Sequence, residues 1–157
     1  MILVVAATVY YAFYGLFSLK QRLAAIRELT GAMFCVRSAI AFSGQPVKDV
    51  FAGLEKSETT GVFGNFTKGM AAGKRAEDIW NECMDMTPLD GEEKAVFMPF
   101  GACLCAADRS AQLKTIDMMT NAAKLCENRL LQRIDSYKAV DMKIRIMCGL
   151  MAALLLI

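Results

Sequence analysis

A chain of 157 residues is long enough for one ordinary domain and short for two. Its apolar content of 55% and mean hydropathy of +0.35 are high, while 3 Pro and 11 Gly exclude a collagenous or low-complexity chain. A net charge of +2 argues against a nucleic-acid binder that lives on phosphate contacts, and the absence of His removes Ser-His-Asp catalysis, Cys-His catalysis and His-ligated zinc.

The distribution of charge is more informative than its sum. Every charged side chain lies between Lys20 and Arg145, and that stretch has about the charged content of an ordinary soluble domain, ~25%. The excess hydrophobicity therefore sits at the two ends. Met1–Leu19 is uncharged and mostly apolar. As a helix it would reach about 28 Å, close to the ~30 Å of a bilayer core. Tyr10, Tyr11 and Tyr14 gather toward one end, as interfacial aromatics do. A signal peptide would need a basic stretch ahead of it, and here the basic residues follow, at Lys20, Arg22, Arg27 and Arg37. This reads as a transmembrane helix, with the chain after Lys20 on the cytoplasmic side.

From Leu19 to Phe42 the only breaker is Gly31, so the first helix is predicted to run on beyond the membrane, with Leu23, Ile26, Met33, Val36 and Ile40 at helical spacing. Ser43-Gly44-Gln45-Pro46 stops it. A second helix carries Val47, Val50, Phe51 and Leu54. Ser57–Gly61 reads as a loop, Val62–Gly73 as a short, glycine-weakened helix, and Arg75–Met86 as a better one, with Ile79, Trp80 and Cys83 on one face. Thr87-Pro88 then suggests an N-cap and first turn, with Asp90, Glu92 and Glu93 beside the helix start. Pro99 must kink or shorten the helix that follows.

Asp108 is a good N-cap, and no Gly or Pro occurs from Arg109 to Cys148. A helix from Arg109 to Ile157 would be about 73 Å long, enough to pack on a bundle and continue into a membrane. Its stripe comprises Leu113, Ile116, Thr120, Ala123, Leu130, Ile134, Tyr137 and Ile144, interrupted by Glu127 and Asp141. The final uncharged stretch, Ile146–Ile157, is short for a full span. Snorkelling of Lys143 and Arg145 extends it to roughly Asp141–Ile157, about 25 Å. The expected fold is all-α: a transmembrane helix over 1–19, a cytoplasmic helical bundle over 20–140, and a C-terminal hydrophobic transmembrane segment over 141–157.

No catalytic constellation emerges. Cys103 and Cys105, two apart on a helix, point to different faces, and no CxxC pair exists among Cys35, Cys83, Cys103, Cys105, Cys126 and Cys148. In a cytoplasmic domain these thiols read as small apolar residues. Gly64, Gly69 and Gly73 form no phosphate loop. The acidic residues Asp85, Asp90, Glu92 and Glu93 sit near helix starts, where they compensate dipoles or offer an acidic docking surface. A carboxylate enzyme built on Asp85 with Glu92 or Glu93 would need these acids paired in a cleft, and their positions count against it. The expectation is a protein with no enzyme activity, metal, cofactor, nucleic-acid partner or small-molecule substrate.

The segment Phe100-Gly101-Ala102-Cys103-Leu104-Cys105-Ala106-Ala107-Asp108-Arg109-Ser110-Ala111-Gln112 resembles the pattern "fG..LG.sDr..Q" of the stage III sporulation protein AB family of endospore-forming bacteria. The tail from Lys143 to Ile157 is similar to that family's ending. Gly44-Gln45-Pro46 and Trp80 also fit. Two positions depart: Cys105 stands where the family has Gly and Ala107 where it has Ser, removing easy positive φ and a turn hydroxyl. Asp108 and Gln112 are retained, and one turn apart they can face each other at the helix start. The resemblance implies a membrane protein of the mother-cell channel complex, similar to the platform proteins of type II secretion and type IV pilus systems. It also implies a cytoplasmic secretion-type ATPase, other membrane proteins of the complex and membrane lipid as partners. Asp85, Asp90, Glu92, Glu93, Asp108 and Gln112 are the candidate partner-binding residues. The alternative is a small membrane-anchored sensor or regulator whose bundle binds another ligand or partner.

Overall fold

A computed structural model describes the backbone of residues 2–43, 47–54, 60–106 and 108–155, and the side chains of 14–42, 49–51, 53–54, 60–106, 108–139 and 143. Among them there are helices and no strands. These are α1 (Ile2–Ser38), a π-helical turn (Ala39–Ser43), α2 (Val47–Leu54), α3 (Val62–Ala71), α4 (Ala76–Asp85), α5 (Gly91–Phe97), α6 (Pro99–Cys105) and α7 (Arg109–Leu155). The all-α expectation holds. The stop expected at Ser43-Gly44-Gln45-Pro46, the loop from Ser57 and the turn residue Ala107 fall wholly or mostly outside the described residues.

Two long helices make the frame. α7, with 47 residues, is about 70 Å long because nothing in its sequence interrupts the ladder until Gly149. α1, with 37 residues, lies against it. They are antiparallel: Arg37 Nε donates to Asp117 Oδ1 at 2.6 Å, and Arg27 Nε donates to Glu127 Oε1 at 2.6 Å. A step of ten residues backward on α1 is thus matched by ten forward on α7. Farther along, Gly15 faces Tyr137, whose Cε1 lies 3.8 Å from where a Cβ on Gly15 would be. Between the two helices lie Leu19, Leu23, Ile26, Leu29, Met33 and Val36 of α1, and Ile116, Met119, Ala123, Leu130 and Ile134 of α7, all buried. The predicted stripe on α7 is right at its centre; Met119 joins it, Leu113 is half-buried, and Tyr137 is exposed.

The short helices α2–α6 add an aromatic region to the same core, beside this frame. Phe51 sits at its middle, with ring centroids 4.6 Å from Phe66, 5.7 Å from Phe63, 6.3 Å from Phe100 and 6.4 Å from Trp80. Trp80 stacks edge-on with Phe100 at 4.9 Å, and its Nε1 donates to the Phe97 carbonyl at 2.8 Å. Such pairs add to area burial because ring edges meet ring faces, and the buried indole N–H is satisfied. Two glycines permit the close helix approaches. A Cβ on Gly101 would lie 2.8 Å from Trp80 Cβ and 3.1 Å from Glu77 Cα, and one on Gly69 would lie 2.8 Å from Ile79. α3 ends at Gly73 in the left-handed region (φ 76°). The Gly73 amide donates to Met70 and the Lys74 amide to Gly69, a Schellman motif.

Two boundaries differ from expectation. Thr87-Pro88 does not start α5. Thr87 is buried, and its hydroxyl donates back to the Met84 carbonyl at 2.7 Å, finishing α4. The helix starts at Gly91 because Asp90 and Glu93 form a capping box. Asp90 Oδ1 accepts from the Glu93 amide at 2.9 Å, and Glu93 Oε2 accepts from the Asp90 amide at 3.1 Å. Pro99 does more than kink the helix: it opens a separate one, α6, at its first position.

The membrane expectation stands differently. Among the described residues, no helix is long and apolar enough to cross a membrane. The expected spans, 1–19 and 141–157, fall largely on residues whose side chains lie outside the described set.

Candidate docking surface

The acidic group around α5 is the first region to test against its geometry. Asp90 and Glu93 are drawn together by the capping box, and Arg22 of α1 joins them. Arg22 Nη2 donates to Glu93 Oε1 at 2.6 Å and also to Asp90 Oδ2; Arg22 Nε donates to Glu93 Oε2 at 2.9 Å. The Glu93 side chain is only 7% exposed and that of Arg22 only 15%. The carboxylate of Glu93, first through its hydrogen bonds, holds the guanidinium of Arg22 more firmly charged than usual. These three residues are an internal tie between α1 and α5, leaving little of Glu93 for a partner.

Asp85 and Glu92 are different. Both are exposed. Lys94 Nζ donates to the backbone carbonyl of Asp85 at 3.1 Å and leaves its carboxylate outward. Glu92 lies at the mouth of a small pocket shared with Arg129 and Arg133 of α7. The structure thus splits the four acids into two structural and two surface residues.

The corner between α6 and α7 holds Asp108 and Gln112. Asp108 caps α7: its Oδ1 accepts from the Ser110 amide at 3.0 Å. That bond, with the one from the Ser110 hydroxyl, holds the exposed Asp108 carboxyl below the usual carboxylate range. Gln112 does not turn to Asp108 as expected. Its Nε2 donates to the carbonyls of Ala106 at 2.7 Å and Cys103 at 3.1 Å, satisfying the last turn of α6. Arg109 reaches across to the Ala41 carbonyl in the π-helical turn. The motif residues therefore knit a helix end, a helix start and the end of α1. Cys103 points inward and Cys105 outward, the split expected of two residues two apart; burial pushes the Cys103 thiol up. Cys35 is exposed as well, so the reading of the thiols as core residues holds for Cys83 and Cys103 and fails for Cys35 and Cys105.

One surface feature escaped the sequence reading. Phe34 and Phe42 are exposed, at 45% and 87%, and with Val50 and Leu54 they border an open groove of about 620 Å³ between the end of α1 and α2. A helical stripe shows which residues share a face; it does not show which face finds a partner within the chain. Among the described residues, no group of His, Cys, Asp or Glu is arranged to hold a metal ion.

These elements define an all-α protein in which five short helices pack on a long antiparallel pair, with helix caps and ion pairs at its polar corners. The model of one family, stage III sporulation protein AB, matches residues 1–157, and the chain belongs to that family. A solved structure of stage III sporulation protein AB (SpoIIIAB) is similar to it, with a TM-score of 0.66 and 22% identity over 73% of this chain and 97% of that one. At that identity the likeness concerns the fold. No functionally curated protein matches the chain.

Proposed function

We propose that this protein is a non-enzymatic membrane platform of the sporulation channel complex. In this reading it is held in the mother-cell membrane by its two hydrophobic ends and docks a secretion-type ATPase on its cytoplasmic face. Family membership supports the sporulation role. The observation that carries the rest is the antiparallel pairing of α1 and α7. The register set by Arg37–Asp117, Arg27–Glu127 and Gly15–Tyr137 directs the uncharged N-terminal and C-terminal stretches to the same side of the bundle. Basic residues flank both stretches on the bundle side, the charge pattern of two spans with their connecting domain in the cytoplasm.

The α2–α6 bundle then faces away from the membrane and offers the docking surface. Asp85 and Glu92 are among its exposed acids, and the Phe34–Phe42 groove beside α2 is an exposed apolar feature. The test is a mild-detergent pull-down of the tagged full chain from membranes of sporulating cells. The platform reading expects a secretion-type ATPase in the eluate, and its loss when Asp85→Lys and Glu92→Lys are combined. Glu93 is left intact because reversing a buried, paired carboxylate would unfold what is being tested. Recovery of the ATPase by the double variant would move the surface to the groove. Absence of the ATPase with the unaltered chain would sink the platform reading.

A further inference from the structure

A cleft of about 600 Å³ opens between the two long helices, where the charged part of α1 gives way to its uncharged N-terminal stretch. α1 contributes Tyr14, Ser18, Leu19 and Arg22; α7 contributes Arg133 and Tyr137. Among the described residues, two guanidinium groups line the cleft and no carboxylate does. Asp90, Glu92 and Glu93 line a neighbouring small pocket on the α5 side, and Arg133 stands in the wall shared by the two. Arg22 is bound to Asp90 and Glu93, whereas Arg133 has no ion-pair partner among the described residues. The phenols Tyr14 and Tyr137 are 66% and 47% exposed, an unusual state for aromatic rings in the seam of a helix pair. Gly15 keeps the seam narrow there: a Cβ at that position would already touch the Tyr137 ring.

The chemistry fits a phosphodiester. An unpaired guanidinium forms forked, charge-assisted hydrogen bonds to phosphate oxygens. The Ser18 and tyrosine hydroxyls add donors, and the tyrosine rings are amphipathic, as residues at a headgroup layer are. Leu19 gives the cleft an aliphatic wall for the first carbons behind a headgroup. We propose that this cleft binds the headgroup of one anionic phospholipid, with Arg133 as its principal phosphate ligand and Tyr14 and Tyr137 bracketing it. The proposal rests on the membrane reading above. A free phosphate ion could satisfy Arg133 but would leave the two tyrosine rings and the Leu19 wall unused, so the lipid is the occupant.

The test uses the full chain, first checked for retention in the membrane pellet after alkaline carbonate extraction, then purified in mild detergent. Native mass spectrometry counts bound phosphatidylglycerol against phosphatidylcholine, with inorganic phosphate as a competitor. The expected result is one phosphatidylglycerol per chain, retained at least fivefold over phosphatidylcholine. Arg133→Gln should reduce its occupancy at least fivefold, Tyr137→Phe should do so by a smaller factor, and the distant Arg75→Gln should have no effect. Equal retention of both lipids, or an unchanged Arg133→Gln, would overturn the site while leaving the membrane reading intact. Displacement of the lipid by millimolar phosphate would overturn the lipid assignment in favour of a free anion. Release of the chain by carbonate would overturn the membrane reading itself, and the lipid site with it.

Discussion

The two halves of this molecule are held together by different physics. The α2–α6 bundle is built around interlocked rings, with Phe51, Phe66, Trp80 and Phe100 all within a few ångströms and all buried. The α1–α7 pair has an aliphatic seam, and along its rim Arg37–Asp117 and Arg27–Glu127 are exposed ion pairs. The first depends on close shape fit in a dry core. The second depends on length and register, with each contact modest and many in series. Arg22, bound to Asp90 and Glu93, joins the two.

That contrast makes unequal predictions. The largest loss is expected for Trp80→Ala, which removes the indole–Phe97 hydrogen bond and opens a cavity among three rings, Phe51, Phe66 and Phe100. A cost of about 3–5 kcal/mol follows, read as a large fall in the thermal midpoint of the full chain in detergent. An undiminished midpoint would show that the aromatic core does not hold the bundle. The joint comes next. Glu93→Ala leaves Arg22 with one carboxylate and removes half of the capping box, a loss of about 2 kcal/mol, whereas the exposed neighbour Glu92→Ala is expected within ~0.5 kcal/mol of the parent.

The seam holds one evident flaw. The Thr120 hydroxyl is buried without a hydrogen-bond partner, the sole such side-chain atom among the described residues. Thr120→Val keeps the shape and removes the unmet group, and should raise stability by about 1 kcal/mol. A loss would mean that the hydroxyl is satisfied in solution. The smallest effect belongs to the rim. Hydrogen bonding to Arg37 holds the Asp117 carboxyl below its ordinary range. Its contribution is thus complete above the ordinary carboxylate pKa of about 4 and fades as pH falls through the lowered value. Arg37→Gln should lower stability only slightly at neutral pH, because the pair is so exposed, and converge with the parent in acid, measured by thermal unfolding from neutral to acid pH.

The struts were legible in the sequence and the joints were not. A stretch free of Gly and Pro behind an Asp cap could only be one long helix, and α7 runs from Arg109 as expected. Pro99 likewise announced a break. The start of α5 was misplaced because two N-cap signals compete within a few residues. The Asp90–Glu93 box satisfies two backbone amides reciprocally, whereas Thr87 is drawn into the core. The acids near α5 look alike in sequence; Arg22, some seventy residues away, divides them into two that it binds and two that it does not, and local patterns carry no such information. Gln112 was noticed but assigned the wrong partner, since the carbonyls it caps belong to the preceding helix. Phe34 and Phe42 lie off the helical stripe of α1, and the groove they border depends on where α2 sits, which local spacing does not encode.

The central claim is that the paired long helices carry both hydrophobic ends into one membrane, with the bundle on its cytoplasmic side. Labelling with a membrane-impermeant maleimide tests it most directly, because Cys35 and Cys105 are exposed on the bundle and serve as native reporters. In intact protoplasts expressing the full chain, the account predicts that both thiols stay unmodified until lysis, while a thiol introduced by Ile2→Cys is modified at once. Modification of Cys35 or Cys105 before lysis, with the chain in the membrane fraction, would contradict it.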